Sequence, residues 1–203
     1  MTYNYLDYVS KRFKNCSLQN YNVTNANKEA FNSCKSFCDE FEKNLDEGNN
    51  LLLCGNVGVG KTHLAYAIKR ELHFEKGLKQ NEIVIVSMMT LLQEIKNSFS
   101  NKGKFEDYAT YYNAKKCTLL IIDEIGVQYG TEAERIMIYD LFNYRYENMK
   151  STIALSNLPK DTTHLPPDQQ SRASSLQKIL GLRITDRLCS GSKYVFITEK
   201  SKR

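Results

Sequence analysis

Residues 55–62 read Gly-Asn-Val-Gly-Val-Gly-Lys-Thr, and this octet fits the phosphate-binding pattern G-x-x-x-x-G-K-[ST] without a mismatch. Each residue type has a chemical reason to be there. Gly55, Gly58 and Gly60 permit positive φ and close backbone approach. The N–H groups of Asn56, Val57, Gly58, Val59 and Gly60 can then point inward and cradle phosphate oxygens. A helix opening at Lys61 adds the positive end of its dipole and takes in His63. Lys61 reaches the β- and γ-phosphates, and Thr62 offers a hydroxyl to Mg²⁺. Residues 55–63 are therefore expected to bind the phosphates of a nucleotide. A plain glycine turn would not need the apolar strand before it or the helical run after it.

A phosphate loop needs a second acid, and the stretch "LLIIDEIG" supplies two. Asp123 ends an apolar run, placed to hold Mg²⁺ through water, and Glu124 is placed to orient or activate the attacking water. In "IALSN", Ser156 and Asn157 end another apolar run. Asn157 is expected to sense the γ-phosphate by hydrogen bonding, the competing reading being a turn cap. Arg183 and Arg187 stand four residues apart in "GLRITDRL", which places them on one helix face. Two readings stay open for them. They complete a neighbouring subunit's site by stabilising charge on the transferring phosphoryl group, or they form salt bridges and a solvated face.

The elements that must position these residues follow from periodicity. Apolar residues at 30, 31, 34, 37, 38, 41 and 45 predict one amphipathic helix over 27–45. Short apolar or β-branched runs predict strands at 51–55, 82–87, 118–124, 151–157 and 194–199. Helices are expected from 61 to about 74, at 88–99, 105–114, 132–149 and 176–191, the last with a glycine inside it. Residues 158–175, which hold all three prolines, read as a polar connection. Strands alternating with helices imply a parallel sheet covered on both faces, with ligands beyond the carboxyl ends of its strands.

The 203 residues, 41% hydrophobic and 25% charged, suit one globular domain with a substantial core. No apolar run approaches the ~18 residues of a membrane span. The opening stretch "MTYNYLDYVSKRFKNC" lacks an apolar signal core, so a cytoplasmic protein with no membrane partner is expected. Six scattered cysteines with no C-x-x-C pair read as reduced, structural thiols rather than a zinc site. The net charge of +5 permits an acidic partner without demanding one.

In the pieces "GNVGVGKTHLAYAIKREL", "LLIIDEIGVQ", "FNYRYENMKSTIALSN" and "GLRITDRLCSG", the chain resembles the AAA+ ATPase module of DnaC-type replicative helicase loaders. That group includes relatives of the transposition helper IstB. The resemblance runs from about Phe13 to the C-terminus. It implies a P-loop α/β fold whose five parallel strands lie in the order 5-1-4-3-2, flanked by helices, with no lid domain after the fifth strand. It implies a linker and amphipathic helix over 1–48 and an AAA+ core over 49–203. Asn157 would be the sensor asparagine, and Arg187 the arginine finger with Arg183 in support. Subunits would form a homo-oligomer in the ATP state.

The family's single-stranded DNA contacts lie partly on the helix after the second strand, where this chain offers Lys96 and Phe99. A cation and a stacking ring suit that ligand; a solvated lysine and a core phenylalanine are the plain alternative. About 45 residues precede the strand before the phosphate loop, so the family's helicase-binding domain is not expected. The implied activity is ATP hydrolysis with Mg²⁺ in replication initiation, on single-stranded DNA and a hexameric replicative helicase. The alternatives are a transposition helper ATPase, or a loader-like competitor or switch protein.

Overall fold

The computed structural model describes residues 9–79, 81–100, 109–126 and 131–198. Five parallel strands form one sheet: β1 (Leu51–Gly55), β2 (Ile83–Ser87), β3 (Leu119–Ile125), β4 (Thr152–Ser156) and β5 (Lys193–Ile197). Their order is β2-β3-β4-β1-β5, which is the expected order read from the other edge. β1 and β4 are buried along their whole length, as strands covered on both faces must be. The edge strand β5 instead alternates, with Val195 and Ile197 inward and Tyr194 and Phe196 outward.

Alternate residues of the strands build two cores. On one face Leu51, Leu53, Ile121, Ile153, Leu155 and Ile197 meet α1 (Lys28–Asp39), α2 (Phe41–Asp46) and α3 (Lys61–Glu75) through Phe37, Phe41, Leu64, Ile68 and Leu72. On the other, Leu52, Leu120, Ile122 and Ala154 meet α4 (Met88–Ser100), α5 (Ala109–Lys116), α6 (Glu132–Glu147), α8 (Leu176–Leu180) and α9 (Leu182–Cys189). α1 and α2 thus share a core with the sheet. Among the described residues no helix is long and apolar enough to cross a membrane. All six cysteines are free, five of them buried; burial pushes the Cys38 and Cys54 thiols up to about 12.

Three expectations need correction. The single helix over 27–45 breaks at Glu40 into α1 and α2. The Asn44 side chain donates to the Phe37 carbonyl there, one of the groups a helix end leaves open. Phe37 and Phe41 face the same core on both sides of the break, so the apolar period hides it. The helix over 176–191 breaks at Gly181, where φ is 84° and ψ 159°, giving α8 and α9. The polar connection carries a short helix, α7 (Pro167–Gln170), opened by its proline. Of the helix expected over 105–114, residues 105–108 lie outside the described ones.

Candidate nucleotide-binding site

β1 delivers the loop from the middle of the sheet. Gly55, at φ 149°, lies so close to the edge strand that a Cβ there would stand 2.6 Å from the Ile197 carbonyl oxygen. Asn56 and Val57 are exposed, whereas Val59 is fully buried and pins the loop to the core. Gly60, at φ 94°, is the N-cap of α3, a left-handed conformation that side chains disfavour. The first N–H groups of α3 therefore open toward the loop.

Lys61 is 7% exposed and donates to the Gly55 and Asn56 carbonyls at 2.8 and 2.9 Å and to Asn157 Oδ1 at 2.9 Å. Burial holds its pKa below the ordinary lysine value, against the opposing pull of the Asp123 carboxylate. Thr62 Oγ1 donates to Asp123 Oδ2 at 2.8 Å. The structure thus brings Lys61, Thr62, Asp123 and Asn157, from the start of α3, from β3 and from the loop after β4, to the carboxyl end of the sheet.

The acids sit differently from a strand-end pair. β3 runs on through them to Ile125, and its pairing with β4 slips between Ile122 and Ile125. This bulge puts Glu124 at φ 58° and leaves it exposed, while Asp123 Oδ1 accepts from the Glu124 N–H at 2.7 Å. A bulge re-aims side chains, here separating two adjacent acids into one turned to Thr62 and one turned to solvent. Ser156 braces the distortion by donating to the Ile125 carbonyl at 2.7 Å.

The donor set fits a magnesium nucleotide. Among the described residues the Lys61 ammonium donates hydrogen bonds only to neutral acceptors, which leaves it able to meet an incoming anion. A hydroxyl beside a carboxylate offers the oxygen ligands that Mg²⁺ takes. When bound, the metal would neutralise charge on the phosphates. Lys61 and the loop amides are the groups that would meet the phosphates, and Thr62 and Asp123 those that would meet the metal, while Glu124 faces solvent.

Other residues lie apart from this group. His63 turns its ring away, with Nε2 3.1 Å from the Ser17 carbonyl and the ring edge-on to Tyr21 at 5.2 Å. Lys96 pairs with the buried Glu134 at 2.7 Å; Phe99's side chain lies outside the described residues. Arg183 is exposed and Arg187 half-buried. The Arg187 carbonyl accepts from Asn50, just ahead of β1, whereas the loop begins at β1's far end. At ~3.3 Å per residue, about 15 Å of strand separates this backbone from its own phosphate loop.

Periodicity missed one part of the site. Tyr21 donates from its hydroxyl to the Val59 carbonyl at 3.3 Å and would lie 2.9 Å from a Cβ on Gly60. It roofs the loop from an N-terminal stretch without apolar period, and its only sequence signal is an aromatic in polar surroundings.

A model of the family described as IstB-like ATP binding protein matches residues 18–203. The replicative helicase loader DnaC of Buchnera aphidicola (subspecies Schizaphis graminum) is 28% identical over 185 residues, covering 91% of this chain and 67% of that protein. Its counterpart in Escherichia coli K12 is 28% identical over 180 residues, 88% and 65% of the two chains. The chain thus spans about two thirds of these relatives. A solved DnaC helicase loader structure superposes with a TM-score of 0.74 at 25% identity, covering 93% of this chain and all of that one.

Proposed function

Because the chain belongs to the IstB-like ATP binding protein family, we propose that it is an ATP-binding and ATP-hydrolysing helicase loader of the DnaC type. It would assemble as a homo-oligomer in the ATP state and act on single-stranded DNA and a hexameric replicative helicase. One observation carries the nucleotide chemistry: Lys61 joined to Asn157 and Thr62 joined to Asp123 at the mouth of one glycine loop. In this reading Lys61 and the amides of residues 55–62 grip the triphosphate, with His63 in the first turn of the helix behind them. Thr62 and Asp123 align Mg²⁺, Asn157 reads the γ-phosphate, and Glu124 takes the proton of the attacking water. Arg187, remote from its own loop, serves a neighbouring subunit, with Arg183 beside it. Lys96 and Phe99 contribute to the DNA contact, Lys96 exchanging Glu134 for a phosphate.

Similarity to proteins named replicative helicase loader supports the loader reading, and the family model's description supports a second, a transposition helper ATPase. A pull-down with ATP-loaded Glu124→Gln protein separates them. Capture of a replicative helicase is expected. Stable filaments on duplex DNA without helicase capture would favour the second reading, and no nucleotide uptake by calorimetry in magnesium buffer would end both.

A further inference from the structure

Arg187 is held by an arrangement that neither the family likeness nor the nucleotide site explains. Its guanidinium carbon lies 5.2 Å from the Tyr139 ring centre and 5.4 Å from that of Tyr146. The two tyrosines stand seven residues apart on α6, on one helix face. Arg183 and Arg187 both bring their guanidinium groups to the Tyr139 hydroxyl, which lowers its pKa. Arg187 Nη1 is buried and has no hydrogen-bond partner among the described residues. A desolvated cationic nitrogen with nothing to donate to is unfavourable, and the ring faces together with the Tyr139 hydroxyl offset it. The guanidinium is therefore folded back onto α6, stable enough to stay and poised to leave for an anion.

We propose that Tyr139 and Tyr146 are positioning residues that keep Arg187 withdrawn in the isolated subunit and release it when a neighbouring subunit presents a triphosphate. This rests on the reading above, in which Arg187 works across a subunit boundary. Its consequence is a threshold. Assembly into the hydrolysing state draws only on subunits whose Arg187 has left the clamp, so the apparent affinity between subunits is reduced by that fraction. Subunits would neither engage nor turn over ATP until their concentration, or a shared DNA strand, raises encounter enough to overcome the clamp. Tyr139 and Tyr146 are 36% and 47% exposed, so both can be replaced with little loss of core.

The test has two arms, each reading phosphate release with full-length chains. Mixing Arg187→Ala with Lys61→Met protein, each inactive alone, is expected to restore turnover, because one subunit supplies the arginine and the other the nucleotide site. No recovery would overturn the cross-subunit reading itself. In the second arm the doubly substituted Tyr139→Leu, Tyr146→Leu protein is titrated. Its half-saturating subunit concentration is expected to fall about 5- to 30-fold, as for loss of two cation–π contacts, with unchanged kcat at saturation. With the first arm positive, an unchanged half-saturation point or a lowered kcat would overturn the clamp alone; a lowered kcat would mean that the rings aim the arginine rather than withhold it. Tyr139→Phe keeps both rings and deletes only the hydroxyl whose pKa the Arg187 and Arg183 guanidinium groups lower. It serves where the double variant does not unfold cooperatively, with a fall of about 2- to 5-fold expected and no fall contrary to the proposal.

Discussion

Lys61 is a nearly buried cation whose contacts are two carbonyls and an amide oxygen, which makes it the residue most changed by an arriving anion. Charge-assisted hydrogen bonds contribute ~1.5–3 kcal/mol each, so Lys61→Met is expected to weaken nucleotide binding by about 10- to 100-fold in calorimetry. Glu124, turned to solvent, should behave otherwise: Glu124→Gln keeps binding and loses about 100-fold or more of turnover, as removal of a general base does. A second buried lysine offers a control on the electrostatics. Lys69 on α3 is 7% exposed, and burial lowers its pKa from 10.5 to about 8. Between those values the unfolded chain holds more protons than the folded one, so this group makes stability rise with pH from about 8 to about 10.5. Below pH 8 both states are charged and the full cost of burial remains. Lys69→Met should therefore raise the unfolding free energy at pH 7 by about 2–3 kcal/mol, a gain that shrinks toward pH 10 in urea titrations. Comparing variant with parent cancels the buried thiols, which titrate in the opposite sense.

At the scale of elements, the end of α6 is fastened by one side chain. Arg145 is 1% exposed and donates to Thr152 Oγ1 on β4 and to the carbonyls of Ala114, Cys117 and Ser151. It closes the C-terminus of α5 and joins it to the starts of β3 and β4, the strands that deliver Asp123 and Asn157. Its partners are neutral oxygens spread around a planar fork, a geometry that a lysine ammonium cannot copy. Arg145→Leu is expected to cost about 3–5 kcal/mol by leaving several buried carbonyls unpaired, and Arg145→Lys to recover less than half, by chemical denaturation. α6 itself begins at a capping box, with Thr131 and Glu134 exchanging bonds at 3.3 and 2.8 Å. That box keeps Glu134 buried, where Lys96 of α4 can reach it.

Across the whole molecule, the sheet separates two chemistries by its own width. The glycine loop with Thr62 and Asp123 lies at the carboxyl ends of the strands, and the Arg187 backbone lies toward the amino end of β1. In the proposed reading a single subunit therefore holds a nucleotide site without its own arginine. Arg187→Ala is accordingly expected to bind ATP with an affinity within about two-fold of the parent by calorimetry, and to lose DNA-stimulated turnover. Loss of ATP binding in that variant would place the arginine in its own site. The helix breaks at Glu40 and Gly181 belong to this scale too. Each lets an apolar face continue around the sheet, so each is invisible in a pattern that records only which residues face inward.

The sequence by itself determined the strand-and-helix alternation, the sheet's makeup and the glycine loop, because buried parallel strands and phosphate-gripping backbone each demand residue types at fixed spacing. On the same grounds it put Asp123, Glu124 and Asn157 toward the carboxyl end of the sheet, though β3 runs on through the two acids to Ile125. Only the tertiary structure decided that Tyr21 roofs the loop, that a bulge turns Asp123 to Thr62 while leaving Glu124 outward, and that Arg187 lies between two tyrosines. Those contacts join residues 38 to 61 positions apart, where no local period carries a signal, and they arise from which faces the packed sheet brings together.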